Sequence, residues 1–211
     1  MSELKIRKDI IKYSLLLNKT NLSPLRSGNI SVRYKNGFLI TPSGKKYQNL
    51  KPKDIVFVNS KGQWNKKLNK PSSEWQFHKD IYNEKKNANS VVHCHSRNAL
   101  VLSCIRKKIP AFHYMVAVAG GDDIKCAKYA TYGTSQLSKY ILKALKNRTA
   151  CLIENHGQVS FSENLSGAFE LAQEIENLAG QYIECLRIGK PKILSKSQMN
   201  SVLRKVKNYK Q

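Results

Sequence analysis

Short apolar runs of strand length alternate with stretches of helical periodicity along this chain. That alternation restricts its architecture more than any other feature. The runs lie at 31–41 (SVRYKNGFLIT), 54–64 (DIVFVNSKGQW), 90–96 (SVVHCHS) and 149–157 (TACLIENHG, continuing into VSFS). The first predicts a hairpin around Asn36-Gly37, broken by TPSG at 41–44. The second predicts a strand, a turn and then a further strand. Helical periodicity marks 3–18, with Leu4, Ile10, Ile11 and Leu15 as its apolar positions, and 133–147, with Leu137, Tyr140, Ile141, Ala144 and Leu145 on one face. A helix is also expected from 71 to 84, where Ser72 or Ser73 can cap it and Glu74 falls in the first turn. A short helix is expected over 96–105 and a long amphipathic one over 162–189. The apolar run 109–121 fits either a strand or a buried loop. Such irregular alternation predicts an α/β layered fold with a mixed sheet.

The chain has 211 residues, 41% of them hydrophobic, with no internal repeat and no low-complexity linker. This suits one globular domain of the larger sort, or at most two small ones. No stretch approaches the roughly 20 apolar residues of a membrane span, and the start, MSELKIRKDI, lacks the apolar core of a signal peptide. Cys94, Cys104, Cys126, Cys151 and Cys185 are odd in number, scattered and without a CxxC. They read as reduced thiols of a cytoplasmic protein. The net charge of +23 invites a nucleic-acid reading. Against it, the basic residues are spread along the chain and only 8 of the 37 are arginine, the residue suited to bidentate phosphate and base contacts. No nucleic-acid partner and no membrane partner is therefore expected. The positive field still favours an anionic substrate.

Candidate chemistry begins in SVVHCHS. In a strand, His93 and His95 share one face and Cys94 takes the other. The imidazoles then lie roughly 7 Å apart, within reach of one metal ion, although two hydrogen-bonded core histidines would show the same pattern. His156, at the end of the apolar strand in ENHGQ, supplies a third imidazole, and three histidines are a common catalytic zinc set. Glu74 stands at the positive end of a helix, where a carboxylate is favoured with or without a catalytic role. The turns GNIS (28–31), TPSG (41–44) and PSS (71–73) are rich in small polar residues. Such turns offer backbone N–H groups to a phosphate, yet each alone is an ordinary turn, and none is a P-loop or a dinucleotide fingerprint.

Taken together and in order, GNISVRY, LITPSGKKY, LKPKDIVFV, PSSEWQFHKDIY, VVHCHS, IPAFHYMVAVAGG, YATYGTSQLS and ENHG resemble the class II aldolase/adducin family, and within it the bacterial L-fuculose-1-phosphate aldolases. The resemblance runs from the first helix to about residue 194. It implies a single three-layer α/β/α domain over 1–211 around a central, mainly antiparallel mixed sheet, with a flexible basic tail from about 195. It implies one Zn2+ per subunit on His93, His95, His156 and Glu74, with Glu74 also the acid/base. Gly28, Asn29, Ser43, Gly44, Ser72 and Ser73 match the positions that hold the substrate phosphate. Tyr114 matches a tyrosine reaching into the adjacent subunit's site, and Tyr209 a second tyrosine closing over it. A homotetramer with sites at subunit interfaces follows. So does reversible cleavage of a ketose 1-phosphate of the L-fuculose type to dihydroxyacetone phosphate and an aldehyde of the L-lactaldehyde type.

Alternatives within the family are aldolases acting on 5-deoxyribulose or 5-methylthioribulose 1-phosphate, and epimerases, dehydratases or decarboxylases. Glu74 after the paired serines and the short chain speak against the 4-epimerases. The three histidines and Glu74 speak against a metal-free, adducin-like interaction module. The chain departs from the family pattern in SPLRSGN (23–29), where Pro24 and Arg26 stand in a loop richer in glycine and threonine among relatives.

Overall fold

A computed structural model describes the backbone of residues 2–209 and the side chains of residues 2–206. The chain opens with helix α1 (Glu3–Lys19), capped by the Ser2 hydroxyl, which accepts from the Lys5 N–H at 3.4 Å. Its buried residues are Ile6, Ile10, Ser14 and Leu17. The inward face is thus rotated from the one expected, and Leu4 and Leu15 are exposed. Strands β1 (Asn29–Tyr34) and β2 (Gly37–Ile40) form the expected hairpin. The Tyr34–Gly37 pairing places its turn at Lys35-Asn36, with Lys35 at φ 48°, one residue earlier than the Asn36-Gly37 signal suggests.

Strand β3 (Val56–Asn59) is followed by turns, and the second strand expected before residue 64 is not formed. Instead the Gln63 carbonyl accepts from the Asn59 N–H at 2.9 Å and closes a local loop. Helix α2 (Trp75–Glu84) starts later than the paired serines suggest, so Glu74 is its N-cap residue and not part of its first turn. Next come β4 (Ser90–Cys94), α3 (Arg97–Cys104) and β5 (Ile109–Pro110), then a 3-10 segment over Tyr114–Ala119 where strand or loop was expected. Strands β6 (Asp123–Ile124) and β7 (Cys126–Ala127), helix α4 (Ser135–Ala144), strands β8 (Ala150–Ile153) and β9 (Gly157–Ser162), and helix α5 (Leu165–Ile188) complete the body.

Seven strands form the main sheet in the order β3-β2-β1-β4-β9-β8-β7, with β5 and β6 pairing separately. Every pair in the main sheet is antiparallel except β7 with β8. Strand alternation sends side chains to two covered faces. Phe38, Val91, Val159 and Phe161 meet Phe77 and Ile81 of α2 and Leu137 and Ile141 of α4. Ile30, Leu39 and Val92 meet Ile10 and Leu17 of α1 and Ala168, Phe169 and Ala172 of α5. A third cluster joins Ala150 and Leu152 to α3 and to the second half of α5. The result is a three-layer α/β/α arrangement around a mainly antiparallel mixed sheet. No described helix is long and apolar enough to cross a membrane.

The residues from about 195, expected as a flexible basic tail, carry helix α6 (Lys196–Tyr209). Met199 is fully buried, and Val202, Leu203 and Val206 pack on the third cluster. Those four positions have helical spacing, and this apolar stripe docks a segment whose other residues are basic and polar.

Helix α3 starts two residues beyond His95, and its capping bears on the site. Ser96 makes no side-chain cap. The Glu176 carboxylate of α5 takes that role, accepting from the Asn98 N–H at 2.9 Å and the Ala99 N–H at 2.9 Å. Glu176→Ala leaves both donors without this acceptor and is expected to cost about 1–2 kcal/mol. Urea denaturation checks this, and a change under about 0.5 kcal/mol would show that water replaces the cap.

Candidate metal centre and its cavity

Strand order gathers the site at one end of the sheet. Strand β4 lies between β1 and β9, with Asn29 opposite His93 and Gln158 opposite Cys94. The start of β1, the end of β4 and the start of β9 therefore meet, and His156 immediately precedes β9. Two glycines permit the approach. At Gly28 (φ +88°) a Cβ would stand 2.6 Å from the His93 carbonyl oxygen, and at Gly157 (φ +151°) 2.5 Å from that of Cys94. Side chains are excluded from both positions by contact as well as by backbone conformation.

Glu74, His93, His95 and His156 each offer a ligand atom to one cluster, all within 4.8 Å of one another. His93 is fully buried, and its Nδ1 stands 2.7 Å from the Gln158 carbonyl oxygen. A carbonyl only accepts, so Nδ1 carries a proton, and Nε2 is the ring atom that faces the cluster and can ligate a metal. His95 Nε2 lies 3.0 Å from it. The three rings stand 4.9–5.0 Å apart at steep angles. Glu74 approaches from the start of α2, with Oε2 at 3.2 Å from His93 Nε2 and Oε1 at 3.1 Å from His156 Nε2. Oε1 is buried with no hydrogen-bond partner.

These features fit a divalent ion. Donors around zinc at 2.0–2.1 Å in a tetrahedron lie about 3.3 Å from one another, close to the spacings here. The orphaned carboxylate oxygen and converging imidazole nitrogens are the donors such an ion takes. Burial opposes ionisation of Glu74, yet His93 and His156 beside it hold its carboxyl far below the ordinary range. Burial likewise opposes protonation of His93, while the Glu74 charge and the Gln158 carbonyl raise it. Burial and the neighbouring imidazoles push His95 down to about 3. It is therefore neutral near pH 7, the form that ligates metal.

Beside the cluster lies a cavity of about 360 Å³. Gly28, Asn29, Ser43, Gly44, Ser72 and Ser73 all line it, together with Glu74, His95 and His156. The turns come together because the Ser72 N–H donates to the Thr41 carbonyl at 3.0 Å and the Ser43 N–H to that of Lys70 at 3.0 Å. Arg26 also lines the cavity and donates to the Gly44 carbonyl at 3.0 Å. Tyr129 and Tyr132, which sequence reasoning passed over, form an aromatic part of the wall; YATYGT, taken only as a family motif, was their signal.

Tyr114 is half-exposed at the head of the 3-10 segment and does not line the cavity of its own chain. The Tyr209 side chain lies outside the described residues. His78 was also overlooked. It is fully buried on α2, four residues after Glu74, and hydrogen-bonded to Asn29 and Ser31. Spacing of i, i+4 from a suspected ligand was the available signal.

The sequence matches the family described as Class II Aldolase and Adducin N-terminal domain over residues 8–183. It is 45% identical over 208 residues to a 5-methylthioribulose-1-phosphate/5-deoxyribulose-1-phosphate aldolase of Rhodospirillum rubrum, covering 99% of this chain and 94% of that protein. It is 43% identical over 211 residues to the L-fuculose phosphate aldolase of Escherichia coli K12, covering 99% and 97%. Its fold superposes on a solved L-fuculose 1-phosphate aldolase with a TM-score of 0.93 at 36% identity, covering 96% of each chain.

Proposed function

This chain belongs to the class II aldolase and adducin family, and we propose that it is a zinc-dependent aldolase cleaving a ketose 1-phosphate to dihydroxyacetone phosphate and an aldehyde. The observation that carries this reading is the buried glutamate and three imidazoles standing beside a cavity lined by Gly/Ser turns. His93, His95, His156 and Glu74 would hold the ion, one per subunit. When bound, it supplies Lewis-acid stabilisation of the negative charge that develops on the substrate oxygens.

The chain's own groups do the rest. Gly28, Asn29, Ser43, Gly44, Ser72 and Ser73 hold the phosphate and so orient C2 to C4 toward the cluster. Breaking C3–C4 requires the C4 hydroxyl to lose a proton and leaves the bonding pair on the three-carbon fragment as an enediolate, which must gain a proton at C3. Glu74, ionised beside the cluster, takes up one proton as the C4 hydroxyl gives one up and returns it to C3, so that the cleavage moves one proton from oxygen to carbon overall. Tyr114 of an adjacent copy exchanges the proton on the aldehyde oxygen, and Tyr209 closes the site. The half-exposed position of Tyr114 supports this role, and we expect a homotetramer with shared sites. The unpaired cysteines accord with a cytoplasmic setting.

Relatives at similar identity act on L-fuculose phosphate and on 5-methylthioribulose or 5-deoxyribulose 1-phosphate. All of these sugars join a phosphorylated end to an apolar methyl or methylthio end, and Tyr129 and Tyr132 suit the latter. A coupled assay for dihydroxyacetone phosphate, run with L-fuculose 1-phosphate and 5-deoxyribulose 1-phosphate side by side, tests the reading. Chelator-sensitive release is expected, and the rate ratio ranks the aldehydes. No release from either, with zinc bound, would refute the aldolase.

Arg26 brings a cation to an otherwise neutral set of turns. Arg26→Ala is expected to raise KM for the sugar phosphate about tenfold, equivalent to about 1.4 kcal/mol, with kcat within about twofold. Unchanged KM would leave Arg26 to its contact with the Gly44 carbonyl.

A further inference from the structure

Next to the cluster, four buried polar side chains connect α2 to β1. Asn29 Nδ2 donates to Glu74 Oε2 at 3.0 Å. The Asn29 side-chain oxygen meets His78 Nε2. His78 Nδ1 lies 2.7 Å from Ser31 Oγ, and Ser31 Oγ lies 2.7 Å from the Tyr82 hydroxyl. His78 and Ser31 are fully sequestered from solvent, and Asn29 and Tyr82 nearly so. The chemistry proposed above gives no role to His78, Ser31 or Tyr82.

Chemistry admits one direction through this series. Glu74 is ionised and can only accept, so Asn29 must turn its NH2 toward it. The Asn29 oxygen then faces His78 and can only accept, so His78 Nε2 carries the proton. Being neutral, His78 has a bare Nδ1, which must accept from the Ser31 hydroxyl. The Ser31 oxygen in turn accepts from the Tyr82 O–H. Every donor points toward the carboxylate. Reversing the Asn29 amide would set its oxygen against an anion in a water-excluded site, where such repulsion is screened least. Burial pushes His78 down to about 3, in keeping with a neutral ring.

We propose that His78 is a positioning residue: through the series Tyr82–Ser31–His78–Asn29 it locks the Asn29 amide as a donor, which holds Glu74 on the metal cluster and keeps the second Asn29 N–H for an oxyanion of the ligand. Among the described residues that second hydrogen has no protein acceptor, and Asn29 lines the cavity. The oxyanion half of the proposal rests on the aldolase reading; the hold on Glu74 does not.

The test is a double-mutant cycle with two readouts: the zinc dissociation constant, from competition with a chromophoric chelator, and kcat and KM for dihydroxyacetone phosphate release. His78→Phe keeps a ring against Phe77, its stacking partner at 4.6 Å, but removes both ring nitrogens. It is expected to weaken zinc binding and lower kcat, each about 10–100-fold, as loss of groups supporting metal ligands does. His78→Gln, whose amide N–H can replace Nε2–H, recovers most of both. In an Asn29→Ala background His78→Phe adds nothing, because it acts through Asn29. Zinc affinity and kcat within about twofold of the parent for His78→Phe, or effects that multiply with Asn29→Ala, would overturn the proposal. If His78→Phe does not fold, Ser31→Ala runs the same cycle, with about a threefold to tenfold loss expected and no loss overturning it. A His78-dependent zinc affinity in a chain that releases no product would refute the aldolase and leave the positioning role standing.

Discussion

His93→Ala is expected to give a protein that retains less than about a tenth of the parent's zinc after gel filtration and turns over at least ~10³-fold more slowly. The reason lies in what His93 does at both ends of its ring. Nε2 faces Glu74 at 3.2 Å and His95 at 3.0 Å, at the centre of the cluster. Nδ1 is tied to the Gln158 carbonyl at 2.7 Å, which fixes both tautomer and orientation. Alanine removes a donor from the cluster and takes away the imidazole N–H that the Gln158 carbonyl accepts. It also takes from the buried Glu74 carboxylate the imidazole that does most to keep it ionised. His156→Ala is expected to act in the same direction, since its Nε2 stands 3.1 Å from the other carboxylate oxygen. Zinc content by atomic absorption, measured beside kcat, decides the matter, and stoichiometric zinc in either variant would remove that histidine from the metal set.

Glu74→Gln separates the metal from the chemistry. Three imidazoles remain, so most of the zinc is expected to stay. The amide keeps an oxygen for the Asn29 donor but presents an NH2 where Oε1 now stands without a partner. An amide neither takes nor returns a proton near neutral pH, so kcat is expected to fall about 10²–10⁴-fold, the range for loss of a general acid–base. KM is expected to change little, because the phosphate contacts proposed above do not involve Glu74. Full turnover by the Glu74→Gln variant would exclude Glu74 from proton transfer.

Much of the architecture was legible because burial leaves a periodic trace. The apolar runs at 90–94 and 150–153 are buried on both faces, and α4 and α5 show their stripes plainly. Where tertiary contacts competed, the reading slipped. In α1 the apolar residues outnumber the inward positions, so Leu4 and Leu15 misled while Ile6 and Leu17 were buried. In the tail, basic residues concealed four apolar ones at helical spacing, and only the groove beside the third cluster showed that they dock.

The cluster itself was half legible. Histidine at alternate positions of a strand announces a shared face by geometry alone, because the strand period is two. That His156 and Glu74 join them is a consequence of strand order. Antiparallel pairing of β4 with β9 brings His93 and Gln158, 65 positions apart, within hydrogen-bond distance, and no local pattern encodes such a separation. The same holds for His78. Its identity and helical spacing were visible, but the direction of its hydrogen bonds follows from an ionised Glu74, an amide that can satisfy it one way only, and a sealed surrounding that forbids water from substituting. The sequence by itself determined which residues can carry charge, accept protons or ligate metal, since those are properties of side chains. Only the tertiary structure decided which of them share one water-excluded point, because desolvation and proximity exist only after the layers have packed.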